Sequence, residues 1–239
     1  MGKADLQIHS SNGDGLDDLE TILEHVETNT DLDVIALTEH DDVRPGHALR
    51  ELAARRGARV EVIPGVEITT RSGHLLGLFI EEEIPMLRPL AETVAIVHAR
   101  GGLCIVPHPL SYLTFSIGER ALRRLLAAGE NVDAIETVNP SIAGRVRATR
   151  AATLNRDLLH AAETGSSDAH RAELVGTAWT VFEGHTAADL RRAVLSRTTR
   201  TAGRPWTAAE HLAGAARQQW RAMVAGPAAV VRRRLGPRR

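Results

Sequence analysis

Cysteine occurs once in this chain, at Cys104, lysine once, at Lys3, and aromatic side chains seven times in 239 residues. A single cysteine excludes an internal disulfide and a thiolate-rich zinc site, and its place in the apolar run Leu103-Cys104-Ile105-Val106 fits a buried small hydrophobe. So few aromatics leave little for base stacking, which argues against a dedicated single-stranded nucleic-acid platform. Apolar runs such as residues 75–80 and 225–231 fall far short of the ~20 residues of a membrane-spanning helix. The N-terminus lacks a basic-then-apolar signal pattern, so the expected location is cytoplasmic. At 43% apolar and 25% charged residues, disorder and collagen-like repeats are excluded and a soluble globular chain is implied. The net charge of −1 hides an asymmetry, because residues 207–239 carry +6 and residues 1–206 carry −7.

Residues 3–9 alternate as a short strand ending at His9. Asp14-Gly15 then opens a turn, and Leu16, Leu19, Ile22, Leu23 and Val26 recur at helical spacing. Val34-Ile35-Ala36-Leu37 is short, apolar and bounded by polar residues, as a strand buried on both faces should be. The pattern continues with a helix over 45–56, a strand over 59–63, a hairpin pairing 66–69 with 75–80, a helix over 87–99 and a strand over 103–106. It then gives a helix over 118–128, a strand over 134–138, a helical stretch over 146–162, a short segment before Ser166, a strand over 178–182 and a helix over 187–196. Such alternation implies a mostly parallel sheet, and the length suits a closed β/α barrel, with an open doubly wound sheet as the alternative.

Five of the eleven histidines fall at strand ends: His9, His40, His108 and His170 follow predicted strands and His74 opens one. Asp14, Glu67 and Asp168 keep the same company. In a β/α barrel the loops after the strands open onto one face, so these residues converge there, and imidazoles mixed with carboxylates suit Zn, Mn or Fe. His25, His98, His160 and His211 sit within helical patterns and His47 and His185 near helix starts, as structural or solvent-facing residues do.

In order along the chain stand Asp5-Leu6-Gln7-Ile8-His9-Ser10, Gly13-Asp14-Gly15, Ala36-Leu37-Thr38-Glu39-His40-Asp41, Gly65-Val66-Glu67-Ile68, Pro107-His108-Pro109 and Gly165-Ser166-Ser167-Asp168-Ala169-His170. This series resembles the successive motifs of the PHP domain, the polymerase and histidinol phosphatase superfamily, over residues 3–183. The resemblance implies an α/β fold, a distorted seven-stranded (β/α)7 TIM-like barrel, for a catalytic domain at 1–205, leaving 206–239 as an amphipathic helix and basic tail. It also implies two or three divalent metal ions (Mn, Zn or Fe), with Glu67 bridging two of them. His9, Asp168 and the position of Gln7 would serve one ion, His74 and His108 with Glu67 the second, and Asp14, His40 and His170 the third. Catalytic work would fall to Glu67 and His170. Arg44, in the loop after His40, is a candidate for the substrate phosphate and equally for an ordinary surface arginine. His74-Leu75-Leu76-Gly77-Leu78 and Asp14 are similar to the free-standing phosphoesterases of the superfamily. The implied activity is hydrolysis of a small phosphomonoester or nucleotide phosphate through a metal-activated water. The alternatives are a 5′–3′ exonuclease on short oligonucleotides and a non-catalytic module with a damaged metal site.

Gln7 departs from the family pattern, which has histidine there. A glutamine oxygen is a neutral ligand that suits a hard cation better than zinc. Gln7 either ligates through its oxygen, supports a ligand from behind, or marks a lost site. Chemically, a phosphomonoester needs a nucleophilic oxygen that bulk water scarcely supplies at neutral pH, and paired divalent ions supply both that oxygen and charge for the phosphoryl group. In the tail, Ala208, Leu212, Ala216, Trp220 and Met223 or Val224 recur at helical spacing, with seven arginines between Arg217 and Arg239. The segment reads as a helix packed on the barrel with a solvated basic end, or as a contact for an anionic membrane surface or nucleic acid.

Overall fold

All four side chains of the strand Val34–Leu37 are buried, Val34 and Ala36 in one apolar cluster and Ile35 and Leu37 in another. A strand covered on both faces belongs inside an α/β architecture, and the rest of the chain builds it. The computed structural model describes residues 1–213. Its strands are β1 (Gly2–Ile8), β2 (Val34–Leu37), β3 (Glu61–Thr70), β4 (Gly73–Leu78), β5 (Leu103–Val106), β6 (Ala134–Val138), β7 (Ala162–Gly165), β8 (Ala178–Phe182) and β9 (Arg200–Gly203). Its helices are α1 (Leu19–Asn29), α2 (Arg44–Arg56), α3 (Leu90–Ala99), α4 (Glu119–Ala127), α5 (Ile142–Arg145), α6 (Ala148–Leu154), α7 (Ala187–Leu195) and α8 (Ala208–Leu212).

The helix boundaries follow local chemistry. Asp18 caps α1 by accepting from the Thr21 amide, and Thr186 with Asp189 forms a reciprocal capping box on α7. Gly57 ends α2 in the left-handed region at φ 61°, with open space where a Cβ would stand.

The strands form one sheet in the order β7-β6-β5-β4-β3-β2-β1-β8-β9. Its two ends meet: the Thr180 hydroxyl of β8 bonds both the amide and the carbonyl of Gly165 on β7 (3.0 Å each), and the Thr199 hydroxyl donates to the Glu163 carbonyl. The sheet therefore curls into a nearly closed barrel. Ala4, Leu6, Val34, Ala36, Ile63, Leu76, Leu78, Leu103 and Ile105 pack together inside it, and Leu190, Ala193 and Val194 of α7 join them. The remaining core lies outside the sheet, where α1 and α2 cover β1 and β2, and α3, α4 and α6 cover β3 to β6.

The barrel-like α/β fold is the expected one, with nine strands in place of seven. β3 runs unbroken from Glu61 to Thr70, so the two strands expected at 59–63 and 66–69 are one. β4 lies antiparallel between β3 and β5, and β8 and β9 return antiparallel beside β1. The helical stretch expected over 146–162 is α6 followed by one π-helical turn, Asn155–Leu159, after which β7 begins. Its end is fixed by Asn155, whose side chain bonds both the amide and the carbonyl of Ala161.

The first residues of the tail rest on the body: the Trp206 indole donates to Thr177 (2.9 Å), Arg204 pairs with Glu210, and Arg171 donates to the Glu210 carbonyl (2.7 Å). Ala216, Trp220, Met223, Val224 and the arginines expected to make the basic end lie outside the described residues. Among the described residues, no helix is long and apolar enough to cross a membrane.

Candidate metal centre

The parallel strands all point one way, so the loops after β1, β2, β5 and β7 deliver His9, His40, His108, Asp168 and His170 to one rim. Glu67 reaches the same rim because β3 overshoots its neighbour: beyond Leu37 the chain bridges once more, His40 against Glu67. β4 runs antiparallel, so its first residues, Gly73 and His74, stand at that rim too. On β1 the register against β2 shifts between Asp5 and Ile8. Such an irregularity re-aims side chains. Leu6 fills the barrel, Ile8 faces the helices, and Gln7 and His9 both reach Glu67.

Glu67 is the hub. Its Oε1 lies 2.9 Å from His74 Nδ1 and 3.2 Å from His108 Nε2, while its Oε2 lies 3.2 Å from His9 Nε2 and 3.7 Å from His40 Nδ1. The Gln7 amide also donates to Oε2 (3.1 Å). Asp14 forms a second focus, with Oδ2 3.2 Å from His170 Nε2 and 3.6 Å from His40 Nε2, and Oδ1 3.6 Å from His9 Nδ1. Asp168 closes the ring 3.5 Å from His9 Nε2. All eight ionisable residues expected at the site, and Gln7, therefore converge. The six other histidines stay out of this cluster; His98, for example, pairs with Asp133, and His185 with Asp33.

Electrostatics bind the group. Burial alone would lower His9, but the Asp168, Glu67 and Asp14 carboxylates outweigh it and hold the imidazole well above its ordinary range. Burial would raise Glu67, yet His40, His74 and His108 keep it well below the ordinary carboxylate range. Asp14 is lowered for the same reason by His170, His40 and His9.

The arrangement fits divalent cations on its own geometry. Both ring nitrogens of His9, Nδ1 of His74, Oδ1 of Asp14 and Oε1 of Gln7 are buried without a well-aligned hydrogen bond, although charged partners stand 2.9–3.6 Å from the first four. An unsatisfied buried polar atom costs about 1–3 kcal/mol, so so many in one place call for a ligand that takes several lone pairs at once. Imidazole nitrogens and carboxylate oxygens converge in three groups: His9, Asp14 and His170; His9, His40 and Glu67; and Glu67, His74 and His108. A fourth group, His98, Cys104 and Asp133, lies at the opposite ends of the strands. There Asp133 already accepts from His98 and the Cys104 amide, and burial holds the thiol protonated.

Supporting residues were not legible as such in the sequence. Glu39, buried beside the His9 ring (3.9 Å), accepts from the amide and hydroxyl of Ser10 and is raised by burial. Glu136, pushed up to about 8 by burial, accepts from the His108 amide (2.7 Å) and from Asn139 (2.9 Å), whose amide also reaches Asp168 (3.5 Å). An acidic residue inside the apolar run of β6 was the signal for Glu136. Asp5, pushed up to about 6 by burial, accepts from the Ser167 and Gly176 amides (2.9 Å each) and so fixes the loop that carries Asp168. Arg44 sits at the start of α2, bound through Nε and Nη2 to Asp42 and 3.7 Å from Glu83; both ionic partners lie outside the cluster.

Comparison with known proteins agrees with this geometry. A family described as PHP-associated matches residues 148–199, the segment that holds Asp168 and His170. An uncharacterised Methanocaldococcus jannaschii protein, MJ1587, is 34% identical over 129 residues, 49% of this chain and 74% of that one. A phosphoribosyl 1,2-cyclic phosphate 1,2-diphosphodiesterase from Eggerthella lenta is 37% identical over 92 residues, covering 36% of this chain and 34% of that one. The 5′-3′ exoribonuclease Rnm from Salmonella typhimurium is 36% identical over 104 residues, covering 41% of this chain and 35% of that one. The chain thus spans about a third of the length of these two named enzymes. Among solved structures, a two-domain Bacteroides vulgatus protein containing a predicted PHP-like metal-dependent phosphoesterase superposes with TM-score 0.69 at 20% identity, over 84% of this chain and 64% of that one. With its motifs in family order and its histidines and carboxylates gathered at one barrel rim, the chain belongs to the PHP domain family.

Proposed function

We propose that this protein hydrolyses a small phosphomonoester or nucleotide phosphate at the rim cluster, with Gln7, His9, Asp14, His40, Glu67, His74, His108, Asp168 and His170 holding two or three divalent ions. The observation that carries this reading is the two-sided environment of Glu67, whose oxygens face separate histidine pairs. That is the disposition of a carboxylate shared by two cations. Bound there, such ions would acidify a water and offset the charge of a phosphate ester.

The chain's own residues prepare that chemistry. Gln7 donates to Glu67 and thereby fixes the carboxylate plane, while its own buried oxygen keeps a lone pair without a hydrogen-bond partner. His170, stacked on His9 at 4.3 Å between ring centres, takes its orientation from the Asp168 carbonyl, 2.9 Å from Nδ1, and directs Nε2 at Asp14. With Nδ1–H committed to that carbonyl, Nε2 is the lone-pair nitrogen, buried beside Asp14, and would serve as the ligand to an ion held between them. A phosphate contact by Arg44 requires the guanidinium to keep a free edge beside Asp42, which its 59% side-chain exposure permits.

The second reading, a 5′–3′ exonuclease on short oligonucleotides, draws on the likeness to Rnm. The test is reconstitution with Mn, Zn or Fe, metal quantification, and hydrolysis assays on nucleoside monophosphates, sugar phosphates and short oligonucleotides. At least two ions per chain with turnover of a monophosphate is the expected result. Fewer than about one ion per chain under every loading condition would overturn the enzyme reading in favour of a non-catalytic module.

A further inference from the structure

Eight large apolar side chains stand exposed among the described residues, and four of them, Tyr112, Leu113, Phe115 and Ile142, lie on two connections, the loop 107–118 and the segment 139–147 that carries α5. Singly exposed apolar residues are ordinary, whereas half of them gathered on two connections beside one site mark a surface for a ligand. Both segments are hydrogen-bonded to residues of the candidate metal centre. In the first, the His74 amide donates to the Phe115 carbonyl (2.8 Å), the Ser116 hydroxyl donates to the His108 carbonyl (2.7 Å), and the Phe115 ring meets His74 edge-on at 5.4 Å. In the second, Asn139 joins Glu136 to Asp168, and the Ser141 hydroxyl donates to Asn139 (2.8 Å). The two segments meet where the Arg147 guanidinium lies 5.7 Å from the centre of the Tyr112 ring. Arg147 holds that place from a left-handed backbone conformation, φ 61°, uncommon outside glycine.

We propose that Tyr112, Phe115 and Arg147 form a platform for the planar base of the substrate, so that the ester cleaved at the rim is a nucleotide. The proposal rests on the phosphoesterase reading for its reaction but not for its binding surface. A nucleobase offers a flat π-face to an aromatic ring and to a guanidinium, and a bare sugar phosphate has nothing to lay on this surface. The platform's Phe115 edge abuts the site, with the ring meeting His74, which lies 2.9 Å from Glu67. Its size also agrees with the composition. In a chain of seven aromatics, its sole tyrosine and one of its three phenylalanines are spent here, enough to stack one base and not a run of them.

A sole tyrosine makes the test direct, since ring-labelled tyrosine gives one NMR signal. The zinc-loaded full chain is titrated with the non-hydrolysable methylenephosphonate analogue of AMP and, separately, with inorganic phosphate. The Tyr112 signal should shift saturably with the first and stay in place with the second; no saturable shift up to millimolar analogue overturns the proposal. In parallel, Tyr112→Ala and Arg147→Gln should each lower the ratio of kcat/KM for AMP to that for ribose 5-phosphate about tenfold, the size of a lost base-stacking contact. An unchanged ratio in both variants also overturns it. Hydrolysis of neither phosphate, with the tyrosine shift intact, would defeat the phosphoesterase reading and uphold the base platform.

Discussion

Replacing Glu67 by glutamine keeps the shape of a fully enclosed side chain and removes its charge, which isolates what that charge does. The side chain is 1% exposed, and its two oxygens face His74 and His108 on one side and His9, His40 and Gln7 on the other. Each of two cations held there would lose one negative ligand. Taking a single unit pair at about 4 Å in an effective dielectric of 20 as the floor, the loss is about 4 kcal/mol per ion. That is close to a thousandfold in each dissociation constant. The assay is competition against a chromogenic chelator, followed by elemental analysis of the dialysed protein, with circular dichroism confirming that the metal-free variant keeps its fold. Glu67→Gln should release two ions per chain, because a shared ligand fails for both neighbours, whereas a ligand serving one site would release one. Retention of two ions, or loss of one with the other held within tenfold of the parent affinity, would refute the shared-carboxylate argument.

Gln7→His should raise the ratio of zinc to manganese bound at equal supply about tenfold, because an imidazole nitrogen replaces an amide oxygen among the donors; an unchanged ratio would show that position 7 touches no ion. Burial pushes the Asp5 carboxyl up to about 6 in the folded chain against an ordinary 3.8, so between those values the folded state binds more protons. The stabilising effect of that proton is therefore complete below pH 3.8 and lost as pH rises through about 6. Asp5→Asn should gain about 2 kcal/mol on the parent between pH 4.5 and pH 7 in urea unfolding of the metal-free proteins, whatever its offset at the lower pH, and a constant offset would contradict the linkage. The tail is proposed to bind anionic surfaces. Truncation after Ala213, which spares the Trp206 and Glu210 contacts, should then abolish co-sedimentation with anionic vesicles, at about 1 kcal/mol per well-placed arginine and reversibly with salt. Equal sedimentation of both forms, or binding to short DNA or RNA instead, would assign the basic residues elsewhere.

The sequence determined by itself whatever depends on local periodicity and on chain order. Short apolar strands alternating with amphipathic helices implied a β/α barrel, and histidines placed just beyond strands implied one populated rim. His9, His40, His74, His108 and His170 do meet there with Asp14, Glu67 and Asp168. Three things needed the tertiary structure. Closure of the sheet rests on Thr180 reaching Gly165 and on the antiparallel return of β8 and β9, contacts between segments whose own sequences announce no partner. The splitting of Leu6 and Ile8 between the barrel interior and the helix side accompanies a register shift in β1, which interrupts the regular alternation; residue spacing alone assigns them to the same side. Asp5, Glu39 and Glu136 acquire their roles because burial sets a high cost on an unpaired carboxylate, and each is met by amides or hydroxyls distant in the chain or on a neighbouring loop. Periodicity is a property of neighbours along the chain, while desolvation and sheet closure belong to groups that meet only once the chain has folded.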